Sequence, residues 1–286
     1  MKPLCYLEGR IQPLAEARLD PLDRGNIFGD ALYEAVKVLD GVILHLAPHL
    51  DRLRGGLGRV EIPAAAVDSL TEICSRLVQE SELTAGYLYL QISRGVLSRV
   101  HLPPPDLEPT VMVVPFEQVF DPPGGRMKRA ITVPDWRWDF RDIKTTSMIA
   151  TVQGKLRAGH AGVDEVLFVG PDRQLREGGS TNVFVRREDA WETHPIDGCI
   201  LEGVTRSTLL ELAAQEEMVV VERAPHLGEM ETWHEAFLCG TTTGVQPLVE
   251  IDRRTLGDGL PGEWTTRLAQ ALDRLERELV AGRAVR

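Results

Sequence analysis

The chain has 286 residues, 43% hydrophobic and 26% charged, which is more than one ordinary core of about 150 residues requires. Its 26 glycines, 18 prolines and 6% aromatics match globular usage and exclude a disordered, collagen-like or disulfide-stapled chain. The net charge of -11 opposes nucleic-acid binding, and no apolar run approaches the roughly 20 residues that span a bilayer. The amino-terminal MKPLCYLEGR lacks the apolar stretch of a signal peptide, so the sequence predicts a cytoplasmic protein without membrane or nucleic-acid partners. Cys5, Cys74, Cys199 and Cys239 form neither a CxxC pair nor a Cys/His cluster of metal spacing, so no metal is expected.

In chain order, strands are predicted around Cys5 to Leu7 and Val42 to Leu44, with a turn over Gly25 to Asp30 and an alternating strand from Tyr33 to Leu39 between them. Leu50, Leu53, Leu57 and Val60 recur at helical spacing over His49 to Val60. A second amphipathic helix is predicted from Ala64 to Glu80, carrying Val67, Leu70, Ile73, Leu77 and Val78. Strands follow at Tyr87 to Ser93 and Val111 to Pro115, separated by a loop whose Pro103, Pro104 and Pro105 exclude regular pairing. Phe120 to Gly125 has the punctuation of a linker, which divides the chain into a small α/β domain (1–120) and a large one (121–286). The second part alternates strands (Ala130 to Val133, Glu165 to Val169, Asn182 to Arg186, Val219 to Glu222, Ala236 to Cys239) with helices over Ser147 to Gly159, Thr205 to Met218 and Gly262 to Val280. The fold class is therefore α/β (α+β).

Three loops are dense in Gly, Ser and Thr: Glu177 to Asn182, Glu202 to Arg206, and Gly240 to Gly244. The second runs into a predicted helix, where backbone amides and the Thr205 hydroxyl suit an anion. No GxxxxGK[ST] or strand-linked GxGxxG occurs, and each loop taken singly reads as a turn or a cap before it reads as a ligand site. Only five lysines are present: Lys2, Lys37, Lys128, Lys144 and Lys155. Lys144 lies between a strand-like aromatic segment and a helix start, a rigid setting suited to Schiff-base chemistry, although a surface lysine at a helix cap is the plain alternative.

The ordered motifs Asp23-Arg24-Gly25-Asn26-Ile27-Phe28-Gly29-Asp30, Tyr33-Glu34-Ala35-Val36-Lys37-Val38, His49-Leu50-Asp51-Arg52-Leu53, Asp142-Ile143-Lys144, Glu177 to Phe184 and Gly203-Val204-Thr205-Arg206 form a set. Together they resemble the class IV (fold type IV) pyridoxal-phosphate aminotransferases, most of all the D-amino-acid aminotransferases, over nearly the whole chain. The resemblance implies two mixed α/β domains with the cofactor, pyridoxal 5′-phosphate, between them. It implies that Lys144 forms the Schiff base and shuttles the proton, and that Glu177 partners the pyridine nitrogen. It also implies that Arg52 binds the phosphate with Val204, Thr205 and Thr241, while Leu201 packs against the ring.

For the substrate, the resemblance implies that Tyr33, Arg99 and His101, with Thr242, hold the α-carboxylate, the Arg99/His101 loop being donated across a homodimer interface. The expected reaction exchanges an amino group between a D-amino acid such as D-alanine and a 2-oxo acid such as 2-oxoglutarate or pyruvate. An (R)-amine transaminase, an aminodeoxychorismate lyase, a branched-chain L-amino-acid aminotransferase and a non-catalytic phosphate- or cofactor-binding module remain the alternatives. Branched-chain enzymes usually carry a strand of the FEGIR type where this chain has Tyr33 to Lys37. Gly179 and Gly244 stand where related chains often carry larger polar residues, which leaves side-chain breadth open.

Overall fold

A computed structural model describes residues 1–284, and the chain divides into two compact units. Unit 1 comprises Met1–Phe120, Ile143–Ser147 and the chain from Leu279; unit 2 comprises Asp121–Asp142 and Met148–Glu278. Among the described residues no helix is long and apolar enough to cross a membrane.

Unit 1 is built on strands β1 (Leu4–Leu7), β2 (Arg10–Pro13), β3 (Ala31–Leu39), β4 (Val42–Ile43), β5 (Ala85–Ser93) and β6 (Thr110–Glu117). They form one antiparallel sheet in the order β2-β1-β6-β5-β3-β4. The short helix α1 (Arg24–Phe28) precedes β3, and α2 (Leu46–Arg59) and α3 (Leu70–Ser81) follow β4. Because side chains alternate along a strand, Leu32, Val36 and Val38 of β3 and Leu88, Leu90 and Ile92 of β5 share one face. They bury against Leu50, Leu53 and Leu57 of α2 and Ile73 and Leu77 of α3, each such side chain contributing about 1.5–3 kcal/mol of hydrophobic stabilisation.

The single helix expected over Ala64 to Glu80 is broken. A 3-10 turn occupies Ala64–Val67 and α3 starts only at Leu70. The Ser69 hydroxyl donates to the Ala66 carbonyl oxygen at 3.4 Å, the kind of local side-chain bond that competes with helix continuation. The expected turn over Gly25 to Asp30 contains α1, whose first amides are capped by Asp23 Oδ1 accepting from Gly25 N at 2.8 Å.

Unit 2 contains β7 (Lys128–Pro134), β8 (Glu165–Val169), β9 (Leu175–Gly178), β10 (Asn182–Arg187), β11 (Ala190–Thr193), β12 (Val219–Glu222), β13 (Trp233–Gly240), β14 (Gly244–Ile251) and β15 (Arg254–Thr255). These pair in the order β12-β11-β10-β13-β14-β7-β8-β9, with β15 on β14, and the sheet mixes parallel and antiparallel neighbours. Helices α4 (Ile149–His160), α5 (Val204–Gln215) and α6 (Glu263–Ala284) complete the elements, the last helix extending past the end of unit 2. Alternation again sorts the core. Phe184, Trp191 and Phe237 pack with Leu209 and Leu212 of α5 and Leu268 and Leu272 of α6. Val183, Val185, Ala236 and Leu238 belong to a separate cluster with Met230 and Trp233. Ala158 of α4 packs with Val166 and Phe168, so β8 is buried throughout.

The segment Ile143–Ser147 comes after the linker in sequence and is nevertheless part of unit 1. Main-chain bonds from Tyr33 N to the Lys144 oxygen (2.9 Å) and from Thr146 N to the Ala31 oxygen (3.0 Å) hold it to β3, and Ile143 enters the unit 1 core. The aromatic run before it, Trp136 to Phe140, forms no strand, contrary to the sequence expectation.

Near the start of β5, Gly86 has φ of 150° and pairs with Glu117 of β6. A methyl group on it would overlap the Phe116 carbonyl oxygen, a backbone atom fixed by the ladder. Gly86→Ala is therefore expected to destabilise unit 1 by about 1–3 kcal/mol, read as a lowered urea midpoint with an unchanged slope.

Candidate active site

Lys144 is presented by the segment that runs beside β3. Its Nζ donates to the Tyr33 hydroxyl at 3.3 Å and stands 4.4 Å from the Tyr33 ring centroid. Tyr33 in turn stacks on Tyr89 of β5, ring centroids 5.4 Å apart. Among the described residues the Lys144 ammonium pairs with no carboxylate, whereas Lys2 pairs with Glu82 and Lys155 with Glu165.

Glu34 points from β3 toward the apolar face, between the inward positions of Leu32 and Val36, and is fully buried. Two residues one turn apart on α2 compensate it. Arg52 donates from Nε to Oε1 and from Nη2 to Oε2, both at 2.7 Å, and His49 Nδ1 lies 2.7 Å from Oε2. Burial alone would raise the Glu34 carboxyl, but the bonds from His49 and Arg52 outweigh it and hold its pKa at about 2. Burial pushes His49 below the usual histidine range against the opposing pull of Glu34, so near neutral pH a neutral imidazole donates through Nδ1. Arg52, which the sequence singles out, is thus brought to Glu34 and His49, which it does not; an acid at an inward position of an alternating strand was the available signal.

Arg99 and His101 gather elsewhere in unit 1, on the ring of Phe28. The Arg99 guanidinium lies 5.3 Å and the His101 ring 5.4 Å from its centroid. Tyr33 belongs to the Lys144 cluster, so within unit 1 three of the four residues expected at the carboxylate fall into two groups.

In unit 2, Glu177 lies near the end of β9 and is buried. Oε1 accepts from Arg137 Nη1; Oε2 accepts from Leu201 N at 3.1 Å and Asn182 Nδ2 at 3.3 Å. Burial drives its pKa up despite the neighbouring Arg137 charge. Arg137 is itself fixed: Nε and Nη2 donate to the two Asp135 oxygens at 2.9 Å, and its guanidinium lies 4.3 Å from the Phe168 ring centroid. Asp135 also holds Arg176 Nη1 at 2.7 Å and Arg141 Nε at 3.0 Å. Arg137 and Asp135 escape sequence reading because they stand about forty positions from Glu177 in an irregular segment.

The three loops rich in Gly, Ser and Thr meet at one end of the unit 2 sheet. Asn182 joins the first two, its Nδ2 bonding both Glu177 and the Leu201 oxygen (3.0 Å), while its Oδ1 fills the space where a Cβ on Gly203 would stand. Strand pairing of Asn182 with Cys239 brings in the third, whose Gly240 abuts the Ser180 carbonyl. Gly203 is the N-cap of α5 and no side chain caps it, so Val204 and Thr205 open a helix whose first amides can meet an anion. Thr241 and Thr242 lie in the turn linking β13 and β14. Gly179 leaves room for the Lys155 side chain, which reaches Glu165; Glu165 in turn accepts from Gly179 N at 3.2 Å.

One juxtaposition was not expected from cysteine spacing: His194, Asp197 and Cys199 bring ligand atoms within 4.8 Å of one another. Those atoms serve the local turn. His194 Nδ1 faces the Pro195 oxygen at 3.0 Å, and Asp197 Oδ1 accepts from Cys199 N at 2.9 Å.

Residues 31–251 match the family model of class IV amino-transferases. The chain is 32% identical to a D-alanine aminotransferase of Bacillus licheniformis, over 92% of this chain and 94% of that one. Its fold is like that of the branched-chain amino acid aminotransferase of Escherichia coli, with a TM-score of 0.89, 20% identity, and 96% and 95% of the two chains covered. It is also like the T.th. branched-chain amino acid aminotransferase complexed with N-(5′-phosphopyridoxyl)-L-glutamate, with a TM-score of 0.86, 24% identity, and coverage of 96% and 94%. The chain therefore belongs to the class IV aminotransferases and is a pyridoxal-phosphate-dependent enzyme of fold type IV.

Proposed function

We propose that this enzyme moves the amino group between a D-amino acid of the D-alanine type and a 2-oxo acid such as 2-oxoglutarate or pyruvate. The observation that carries the reading is the nearly full-length likeness to a D-alanine aminotransferase. The Arg99-Val100-His101 loop and Tyr33 support it, offering donors for a substrate α-carboxylate.

The residues present fit pyridoxal phosphate. An amine held by a tyrosine hydroxyl rather than a carboxylate is open to a covalent bond, and a buried carboxylate of raised pKa suits a charged ring N–H. The uncapped start of α5 and the Arg52 guanidinium suit a dianion. When bound, this group supplies the carbonyl that receives the amino group and a ring that accepts the electron pair left at the substrate Cα.

Lys144 Nζ takes and returns the proton at the substrate Cα, oriented by the Tyr33 hydroxyl. Glu177 accepts the ring N–H, with Arg137 and Asn182 keeping its carboxylate in place. Arg52, Val204, Thr205 and Thr241 hold the phosphate, and Leu201 packs beside the ring. Tyr33, Arg99, His101 and Thr242 take the substrate α-carboxylate in a homodimer, the Arg99/His101 loop crossing the subunit interface. The sequence Tyr33 to Lys37 weighs against a branched-chain L-amino-acid enzyme, and the likeness to such enzymes at 20 to 24% identity concerns the fold.

Lys144→Ala is expected to abolish turnover and the visible absorption of bound cofactor, while Lys2→Ala keeps both. Retention of the visible band in Lys144→Ala would remove Lys144 from this role. Glu177→Gln keeps the shape without the charge; cofactor still binds, and the single-turnover half-reaction slows on the order of a hundredfold. A rate equal to that of the unmodified enzyme would exclude Glu177.

Stereochemistry and the substrate carboxylate are tested together by half-reactions with D-alanine, L-alanine and (R)-1-phenylethylamine. The unmodified enzyme should prefer D-alanine. Arg99→Ala should lower kcat/KM for D-alanine by roughly 10 to 150-fold, the equivalent of about 1.5–3 kcal/mol for one hydrogen bond to a charged group, and leave the amine unaffected. Preference for L-alanine by the unmodified enzyme overturns the reading.

A further inference from the structure

We propose that Arg24 is a positioning residue for substrate specificity, its guanidinium holding the main chain of the loop that carries Arg99 and His101. This deepens the proposed D-amino-acid reading and rests on it for the substrate named.

Arg24 is only 4% exposed, on the short helix α1. A buried guanidinium is costly unless its donors are matched, and here they are. Nε donates to Asp30 Oδ2 at 2.8 Å, Nη1 to the Val100 oxygen at 2.6 Å and Nη2 to the His101 oxygen at 3.1 Å. Two donors on one rigid plane thus grip two consecutive carbonyls. That fixes the two peptide units on either side of His101, and with them the direction in which the His101 side chain leaves the backbone, two residues after Arg99 in the same loop. Both of those side chains pack on Phe28, whose ring also receives Arg24 at 4.8 Å.

The loop would otherwise be loosely held. Val100 and Leu102 are exposed, and three prolines follow that cannot donate to a ladder. Among the described residues Arg24 is the side chain that bonds the carbonyls of Val100 and His101. The clamp is anchored at its far end. Asp30 accepts from Arg94 Nε at 2.7 Å and Nη2 at 3.1 Å, and Arg94 donates to the Val60 and Glu61 oxygens after α2, both at 2.7 Å. A chain of charge-assisted bonds therefore runs from the end of α2 through Arg94, Asp30 and Arg24 to the loop. Burial opposes the Asp30 charge, but the two arginines outweigh it and hold its carboxyl below the usual range, so the link is ionised at working pH. Asp30 also takes up the Arg24 charge, which leaves Arg99 as the loop cation for an incoming carboxylate.

The test is Arg24→Lys, which keeps the charge beside Asp30 and loses the two-carbonyl grip, together with Arg24→Met, which loses both. In the holoenzyme Arg24→Lys should raise KM for D-alanine about tenfold with kcat within about threefold, and KM for (R)-1-phenylethylamine, where turned over, should stay unchanged. Tryptic cleavage after Arg99 should accelerate several-fold without a matching fall in melting temperature. Should Arg24→Met fail to fold, Arg24→Lys decides. An unchanged KM and cleavage rate in Arg24→Lys, or a loss of kcat alone that follows the melting temperature, overturns the proposal. Absence of D-alanine turnover in the unmodified enzyme overturns the substrate reading instead, and the cleavage rate still decides whether Arg24 holds the loop.

Discussion

Two main-chain hydrogen bonds join the segment Ile143–Ser147 to the start of β3, and the placement of Lys144, the candidate Schiff-base lysine, depends on them. They place Lys144 Nζ on Tyr33, a residue more than a hundred positions earlier. The segment cannot slide, because Ile143 is seated in the core shared by β3, β5, α2 and α3. Thr145 and Thr146 add contacts to the Gly29 oxygen at 3.4 and 3.2 Å. A flexible four-carbon side chain thereby leaves a rigid backbone, and its amine has few places to go. The hydrophobic core of unit 1, ordinary in composition, is in this sense part of what positions Lys144.

Two of the buried glutamates, Glu34 and Glu177, show how different partners set different pKa values. Glu34 faces both Arg52 and His49, and the sum of their bonds drives it far into the ionised range. It is a fixed anion that aims Arg52. Glu177 is as deeply buried, but its Arg137 partner is already committed to Asp135, and burial prevails. Its carboxylate stays comparatively basic, which is the property needed to hold an N–H of a bound ring. The same side chain in two low-dielectric sites thus serves once as scaffold and once as a candidate catalytic group.

Much of the fold was legible where periodicity is strong: β3 and β5 alternate cleanly, and α6 repeats apolar positions over six turns. β9 and β14 were not. Leu175–Gly178 is short and ends in the glycine-rich turn, and Gly244–Ile251 carries Pro247 inside the strand, which reads as a break. The aromatic run Trp136 to Phe140 looked like a strand because bulky side chains favour one, yet its alternate positions include Arg137, turned to Asp135 and Glu177. At the candidate site, the lysine and the glycine-rich loops could be named from residue type and setting, and the glutamate from the family resemblance that the ordered motifs carry. Asn182, which ties two of those loops together, and Glu34, which aims Arg52, owe their importance to contacts between strands and helices that no local pattern encodes.

The use of arginine rather than lysine for structure follows from the same chemistry. Arg24 bonds two carbonyls and a carboxylate, Arg52 grips both oxygens of Glu34, Arg137 bridges Asp135 and Glu177, and the buried Arg206 joins the His194 oxygen to Glu222. Each task needs several donors in a plane, which an ammonium does not offer. A guanidinium also stays charged and does not act as a nucleophile at working pH, so these buried cations serve as fixed structural charges. The chain thus assigns permanent, directional charge to arginine and leaves Lys144 held by a neutral hydroxyl. The place of Lys144 is set by main-chain bonds and the seated Ile143 rather than by a charged partner among the described residues.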